Sequence, residues 1–170
     1  MFRAFERLAA AVAEFHNWVE LPKHRHLFPK LMFEFREETP WSDPYRVDPG
    51  LPGCYAFEND DGEIYYVGSV SANSDFGYRF VNGYICKHPE DKTKVQRLGH
   101  ATEARRIYVI DVPKEYAFIA PALEQFLISY LEPKGNLKDK VHALRERLVA
   151  EGRIHDPLAR LNQSRPSAAI

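Results

Sequence analysis

Apolar positions near the start of the chain recur every three or four residues, at Phe2, Phe5, Leu8, Ala9, Val12, Phe15 and Val19. That is the spacing of one helix face, so an amphipathic helix is predicted over 2–20, ended by Pro22. Residues 22–52 hold six prolines and an acidic patch from Glu34 to Glu38, which predicts an irregular connector with one short strand at Leu31–Arg36. The pattern then shortens. Two runs rich in aromatic and β-branched residues flank Asn59-Asp60-Asp61-Gly62, a turn cluster, and predict a β-hairpin from Gly53 to Gly68. Pairing Glu58 with Glu63 sets Phe57 opposite Ile64, Tyr55 opposite Tyr66 and Gly53 opposite Gly68, all on one face.

Beyond the hairpin, Ser74 or Asp75 can cap a short helix carrying Phe76, Tyr78, Arg79, Phe80 and Val81, closed by Gly83. Residues 107–112 form a strand stopped by Pro113, and a helix follows over about Pro121–Leu131. Its polar stripe is Gln125, Ser129 and Glu132, at i, i+4 and i+7. A basic amphipathic helix is predicted from Lys138 to Glu151, with a short helix at Pro157–Leu161 and a disordered tail from Gln163 to Ile170.

Composition narrows the class. With 170 residues and 45% hydrophobic content, the chain can build one domain with a core. Two cysteines, Cys54 and Cys86, make no disulfide framework, which points to a reducing, cytoplasmic setting. No apolar run approaches a membrane span, and Glu6, Arg7 and Glu14 interrupt the start, so neither a membrane partner nor a secretory signal is expected. The net charge of −1 makes no case for nucleic acid, but its distribution is uneven. Residues 1–78 carry 7 basic against 13 acidic side chains, and residues 79–170 carry 16 against 11. Such polarity is compatible with a basic face for a polyanion, although by itself a mixed solvated surface is the commoner explanation.

Two places carry candidate chemistry. The tyrosine pair in the hairpin lies next to two glycines that would leave space for a ligand; plain packing, worth roughly 0.2–1 kcal/mol, is the simpler account. Glu124 lies off the polar stripe of its helix by about 100°, with Leu127, Ile128 and Leu131 as helical neighbours. Burying an unpaired carboxylate costs several kcal/mol, so Glu124 requires a cationic partner, a metal or a raised pKa. Alternatively it is a first-turn acid favoured by the helix dipole. Residues 84–106 are basic, with Lys87, His88, Lys92, Lys94, Arg97, His100, Arg105 and Arg106; alone, they read as a solvated loop and helix.

Taken together, these residues resemble the GIY-YIG nuclease family over about residues 51–137. Gly53-Cys54-Tyr55 stands for the first signature and Tyr66-Val67-Gly68 for the second, with ten residues between the tyrosines. Arg79, the only Lys or Arg between Gly68 and Lys87, looks like the family's catalytic arginine. Glu124 looks like its metal-binding glutamate and Asn136 like the asparagine that ends the motif. The resemblance implies a small α/β (α+β) fold, a three-stranded antiparallel sheet flanked by helices, here with an N-terminal helical extension over 1–50 and a basic helix and tail over 138–170. It implies DNA phosphodiester cleavage with one divalent metal, Mg2+ or Mn2+, held by Glu124. Tyr55 would activate or orient water, with its pKa depressed by Arg79; Arg79 would hold the scissile phosphate, and Tyr66 would support the network.

The chain departs from the family pattern at four points. Cys54 replaces an aliphatic residue, and Ser69 stands where some members carry lysine. The loop from Gly68 to Arg79 is longer than in related repair nucleases. Gly83 occupies a position often held by His or Tyr, a group that Tyr84 or His88 could supply. Ser69, Tyr84, Lys87, His88, Lys94 and Arg97 are the candidate substrate contacts. The expected partner is DNA, duplex or branched, with RNA left open. Two other functions compete: a non-catalytic nucleic-acid-binding module of the same fold, and an interaction protein that forms a homodimer through its N-terminal helix.

Overall fold

The computed structural model describes residues 3–19, 26–35, 51–70 and 76–136. The expected helices at 138–151 and 157–161, the tail, and the Ser74 or Asp75 cap lie outside them. Chain order is α1 (Arg3–Trp18), β1 (Pro29–Glu34), β2 (Gly53–Glu58), β3 (Ile64–Val70), α2 (Phe76–Gly83), β4 (Ile85–Lys87), β5 (Val95–Arg97), β6 (Arg106–Asp111) and α3 (Ala120–Leu131). Short 3-10 turns at Gly99–Glu103 and Lys114–Ile119 precede β6 and α3.

The main sheet is antiparallel in the order β1-β6-β2-β3. It therefore has four strands, not three. Pro29 begins the fourth, an edge strand, where a missing backbone N–H costs no ladder bond. A register shift between Leu31 and Phe33 leaves Lys30 and Leu31 both exposed, which breaks the alternation that marks a strand in sequence. A second, two-stranded sheet, β4–β5, occupies part of the basic segment expected to be loop and helix.

All six residues of β2 are buried. Successive side chains point to opposite faces, and here the faces differ in size. Cys54 and Ala56 face one core with α1 and α3, and their small side chains let α3 approach closely: the Cys54 thiol donates to the Ala120 carbonyl at 3.2 Å. Tyr55 and Phe57 face the other core, with Phe76 and Phe80 of α2 and with Tyr84 and Ile85. Of the predicted stripe, α1 buries Leu8, Val12 and Phe15, while Phe5 and Ala9 are half-buried and Ala4, Ala11 and His16 complete the buried face; Phe15 meets Phe126 of α3 edge-on at 5.4 Å. The N-terminal helix is thus part of the core.

The hairpin register differs from expectation. Tyr55 pairs with Gly68 and Phe57 with Tyr66, while Glu58 pairs with Ile64, so Tyr65 is an extra, bulged residue. The turn explains it: Asn59 N–H donates to the Glu63 carbonyl, and the Asn59 side chain accepts from Glu63 N–H, both at 3.0 Å. The strands close one residue further out than a Glu58–Glu63 pair would, and the bulge adds a second step. A two-residue shift preserves the faces, so Tyr55 and Tyr66 still share one.

At the other end of β2, Glu58 is 3% exposed. It accepts from Arg106 Nη1 at 2.8 Å and from the Tyr108 hydroxyl, and Arg106 also reaches Glu34 of β1 at 2.7 Å. One guanidinium therefore ties β1, β6 and β2. Replacing it strands a buried carboxylate. Arg106→Ala is expected to lower stability by about 3–5 kcal/mol, and Lys30→Ala, which breaks the exposed Lys30–Asp111 pair, by under about 1 kcal/mol. Urea unfolding of the two variants checks the contrast.

Candidate active site

Gly68 lies opposite Tyr55, and the phenol covers it: a Cβ at Gly68 would stand 2.3 Å from both Cζ and Oη of Tyr55. Likewise a Cβ at Gly53 would stand 2.1 Å from the Ile110 carbonyl oxygen. The space expected for a ligand over these glycines is filled by the protein itself. The two signature glycines admit a tyrosine ring and a neighbouring strand.

Around that ring the predicted residues meet. The hydroxyls of Tyr55 and Tyr84 are 2.8 Å apart, Tyr84 donates to Tyr66 at 3.5 Å, and Arg79 Nε donates to Tyr55 at 3.4 Å. The Arg79 guanidinium also lies over the Tyr84 ring, 5.5 Å from its centroid. Tyr84 follows α2 directly, its N–H bonded to the Phe80 carbonyl at 2.9 Å, which turns its side chain back under the helix. Of the two residues named to substitute for Gly83, Tyr84 therefore reaches the site. His88 instead holds the β4–β5 turn, its Nδ1 accepting from the N–H groups of Glu90 and Asp91 at 3.3 Å each.

One neighbour escaped sequence reasoning. His100 stacks flat on Tyr66, with ring centroids 4.0 Å apart and planes at 12°. It stands on the 3-10 turn after β5, in a stretch whose spacing carries no signal for this contact.

The ionisation of Tyr55 corrects a second expectation. Burial foremost, then the adjoining Tyr84, push its pKa well above the ordinary 10.0. Arg79 acts in the opposite direction, and burial outweighs it. Tyr55 is a neutral phenol at physiological pH.

Glu124, Ser69 and Asn136 belong to the other face. Ser69, one residue beyond Gly68, points toward α3 and donates to Glu124 Oε2 at 2.6 Å. Glu124 is half-buried, less than its helical phase suggests, and its charge, after burial, raises the pKa of the Cys54 thiol. The phenols and Glu124 are thus not on one surface. They stand on opposite faces of the sheet, with edge strand β3 between them.

Asn136 is buried at that edge. Its Oδ1 accepts from Val67 N–H and its Nδ2 donates to the Val67 carbonyl, both at 2.8 Å. The bulge prepares this contact, because the Tyr65 carbonyl accepts from Gly135 N–H at 2.8 Å and fixes the turn that carries Asn136. The side chain placed by motif order among the catalytic residues is a clamp on strand β3.

The basic candidates lie on the β4–β5 hairpin. Arg97 donates to the Ala104 carbonyl at 2.6 Å and stacks over Phe35, while Lys94 pairs with Asp91 at 3.6 Å. Lys87 is exposed at the end of β4. No group of three His, Cys, Asp or Glu side chains suited to a metal occurs among the described residues. A single carboxylate fits Mg2+, which keeps several waters and takes further ligands from substrate phosphates, better than it fits a metal needing an all-protein cage.

Two outcomes follow from the packing and ionisation of Tyr55. Gly68→Ala should lower stability by about 1–3 kcal/mol, because the buried ring above it has to move; thermal unfolding measures this. A phenol with its pKa raised in the folded state stabilises fully below the unfolded value of 10.0 and loses that contribution as pH rises above it. Stability should therefore fall above pH 10, by up to about 1.4 kcal/mol per pH unit for this group. Urea titrations of wild type and Tyr55→Phe between pH 8 and 11 should show a shallower fall in the variant.

In comparison with known proteins, no family model matches this chain and no curated protein matches it.

Proposed function

We propose that this chain is a metal-dependent endonuclease that hydrolyses DNA phosphodiester bonds with a GIY-YIG type site. One observation carries the reading: Tyr55, Tyr66 and Arg79, named from motif order, gather around Tyr84 within hydrogen-bonding reach. Hydrolysis of a phosphodiester needs a held nucleophile, neutralised charge on the phosphorane and a stabilised leaving oxygen. Arg79, exposed and cationic, binds the phosphate. Tyr55, being neutral, orients water through its hydroxyl rather than removing its proton as a phenolate. Glu124 would hold Mg2+, which when bound supplies positive charge to the phosphate oxygens. Tyr55 lies over Gly68 and Ser69 bonds Glu124, so Arg79 and Glu124 flank the same two residues of edge strand β3. The free cysteines Cys54 and Cys86 suit a cytoplasmic setting.

A second reading has its own support. Tyr55 is fully buried and Tyr66 and Tyr84 nearly so, which suits a non-catalytic DNA-binding module whose signatures persist for packing. Nicking of supercoiled plasmid in Mg2+, with EDTA as control, separates the two. Wild type should cut, Glu124→Ala should fall to background, and Tyr55→Phe should lose about 10²-fold in turnover with unchanged DNA affinity. DNA binding without cleavage by the wild type would establish the second reading instead.

A further inference from the structure

The Ser69 hydroxyl lies 2.6 Å from Glu124 Oε2, a short contact in the range of a hydroxyl donating to a carboxylate. Ser69 sits on β3 between Gly68, sealed by the Tyr55 ring, and Val70, buried in the same core as that ring. Its backbone is held on one side by pairing with Cys54 of β2. The Cys54 thiol in turn bonds the carbonyl of Ala120, the first residue of α3, one turn before Glu124. The hydroxyl and the carboxylate are therefore presented by two elements already locked together. The sequence suggested a substrate contact for Ser69, standing where a lysine would face the phosphate; in the structure its side chain is turned to the glutamate.

We propose that Ser69 is the positioning residue of Glu124, fixing the orientation of its carboxylate and thereby setting the divalent-cation affinity of the site; this rests on the metal reading above. A carboxylate on a half-exposed helix face rotates among several rotamers, and only some direct an oxygen at a bound ion. Tying one oxygen to a strand hydroxyl selects among them before the ion arrives.

The test is Mn2+ titrated into isotope-labelled full-length protein, read by paramagnetic broadening of backbone amides near Glu124, with thermal unfolding measured alongside. In wild type the amides of Ser69 and of the first two turns of α3 should broaden first. Ser69→Ala should require about 10-fold more Mn2+ for the same broadening, the usual scale for losing an outer-shell partner, and Ser69→Thr, which keeps the hydroxyl, should restore it. A purely structural hydroxyl would change the unfolding midpoint and leave the Mn2+ half-point where it was, overturning the proposal while leaving metal binding intact. Absence of broadening near Glu124 in wild type, with broadening elsewhere, would overturn both the proposal and the metal reading on which it rests.

Discussion

The close approach of the Tyr55 ring to Gly68 is the constraint from which the rest of the site follows. A phenol laid over a backbone with no Cβ matches the β2–β3 register that the Asn59 turn and the Tyr65 bulge set, and it fixes the depth at which the hydroxyl is buried. At that depth it meets Tyr84 and Arg79, both on the segment that begins with α2. The burial that orders the ring is also the chief cause of the raised pKa of its hydroxyl. Order and acidity are set by the same contact, and they oppose one another: an arrangement tight enough to place the oxygen is too dry to ionise it.

The two sheet faces divide the chemistry. One collects aromatic hydroxyls and a guanidinium, the other a carboxylate, a serine and a thiol. The division originates in β2, where large and small residues alternate, Tyr55 and Phe57 against Cys54 and Ala56. Aromatic side chains on one face hold α2 at a ring's thickness, and small ones on the other bring α3 near enough for a thiol to reach its first carbonyl. The asymmetry of a six-residue strand thus decides which groups can assemble on each side.

Much of this was legible from the residues. The stripe of α1, the strand at 107–112 and the off-stripe phase of Glu124 depend on periodicity, which survives in sequence whatever the tertiary context. The β2–β3 register did not, because it turns on whether Asn59 closes the loop with Glu63, a choice between nearly equal turns. β1 was only partly visible, since a bulge disrupted its alternation and the prolines on either side of it suggested a connector. His100 and the part played by Asn136 were invisible for a different reason. Both act through contacts between distant segments, and nothing local to either residue favours stacking on Tyr66 or bonding to Val67. Motif order singled out Asn136 and left its work undescribed.

That work bears on how an unfinished sheet edge is kept from recruiting another chain. The two polar atoms of the Asn136 amide occupy the N–H and carbonyl of Val67, the groups through which an incoming strand would extend the ladder. One side chain replaces what would otherwise be a whole neighbouring strand. The edge is closed to self-association at that point without a further strand, because the turn that carries Asn136 also takes the Tyr65 carbonyl through Gly135 N–H.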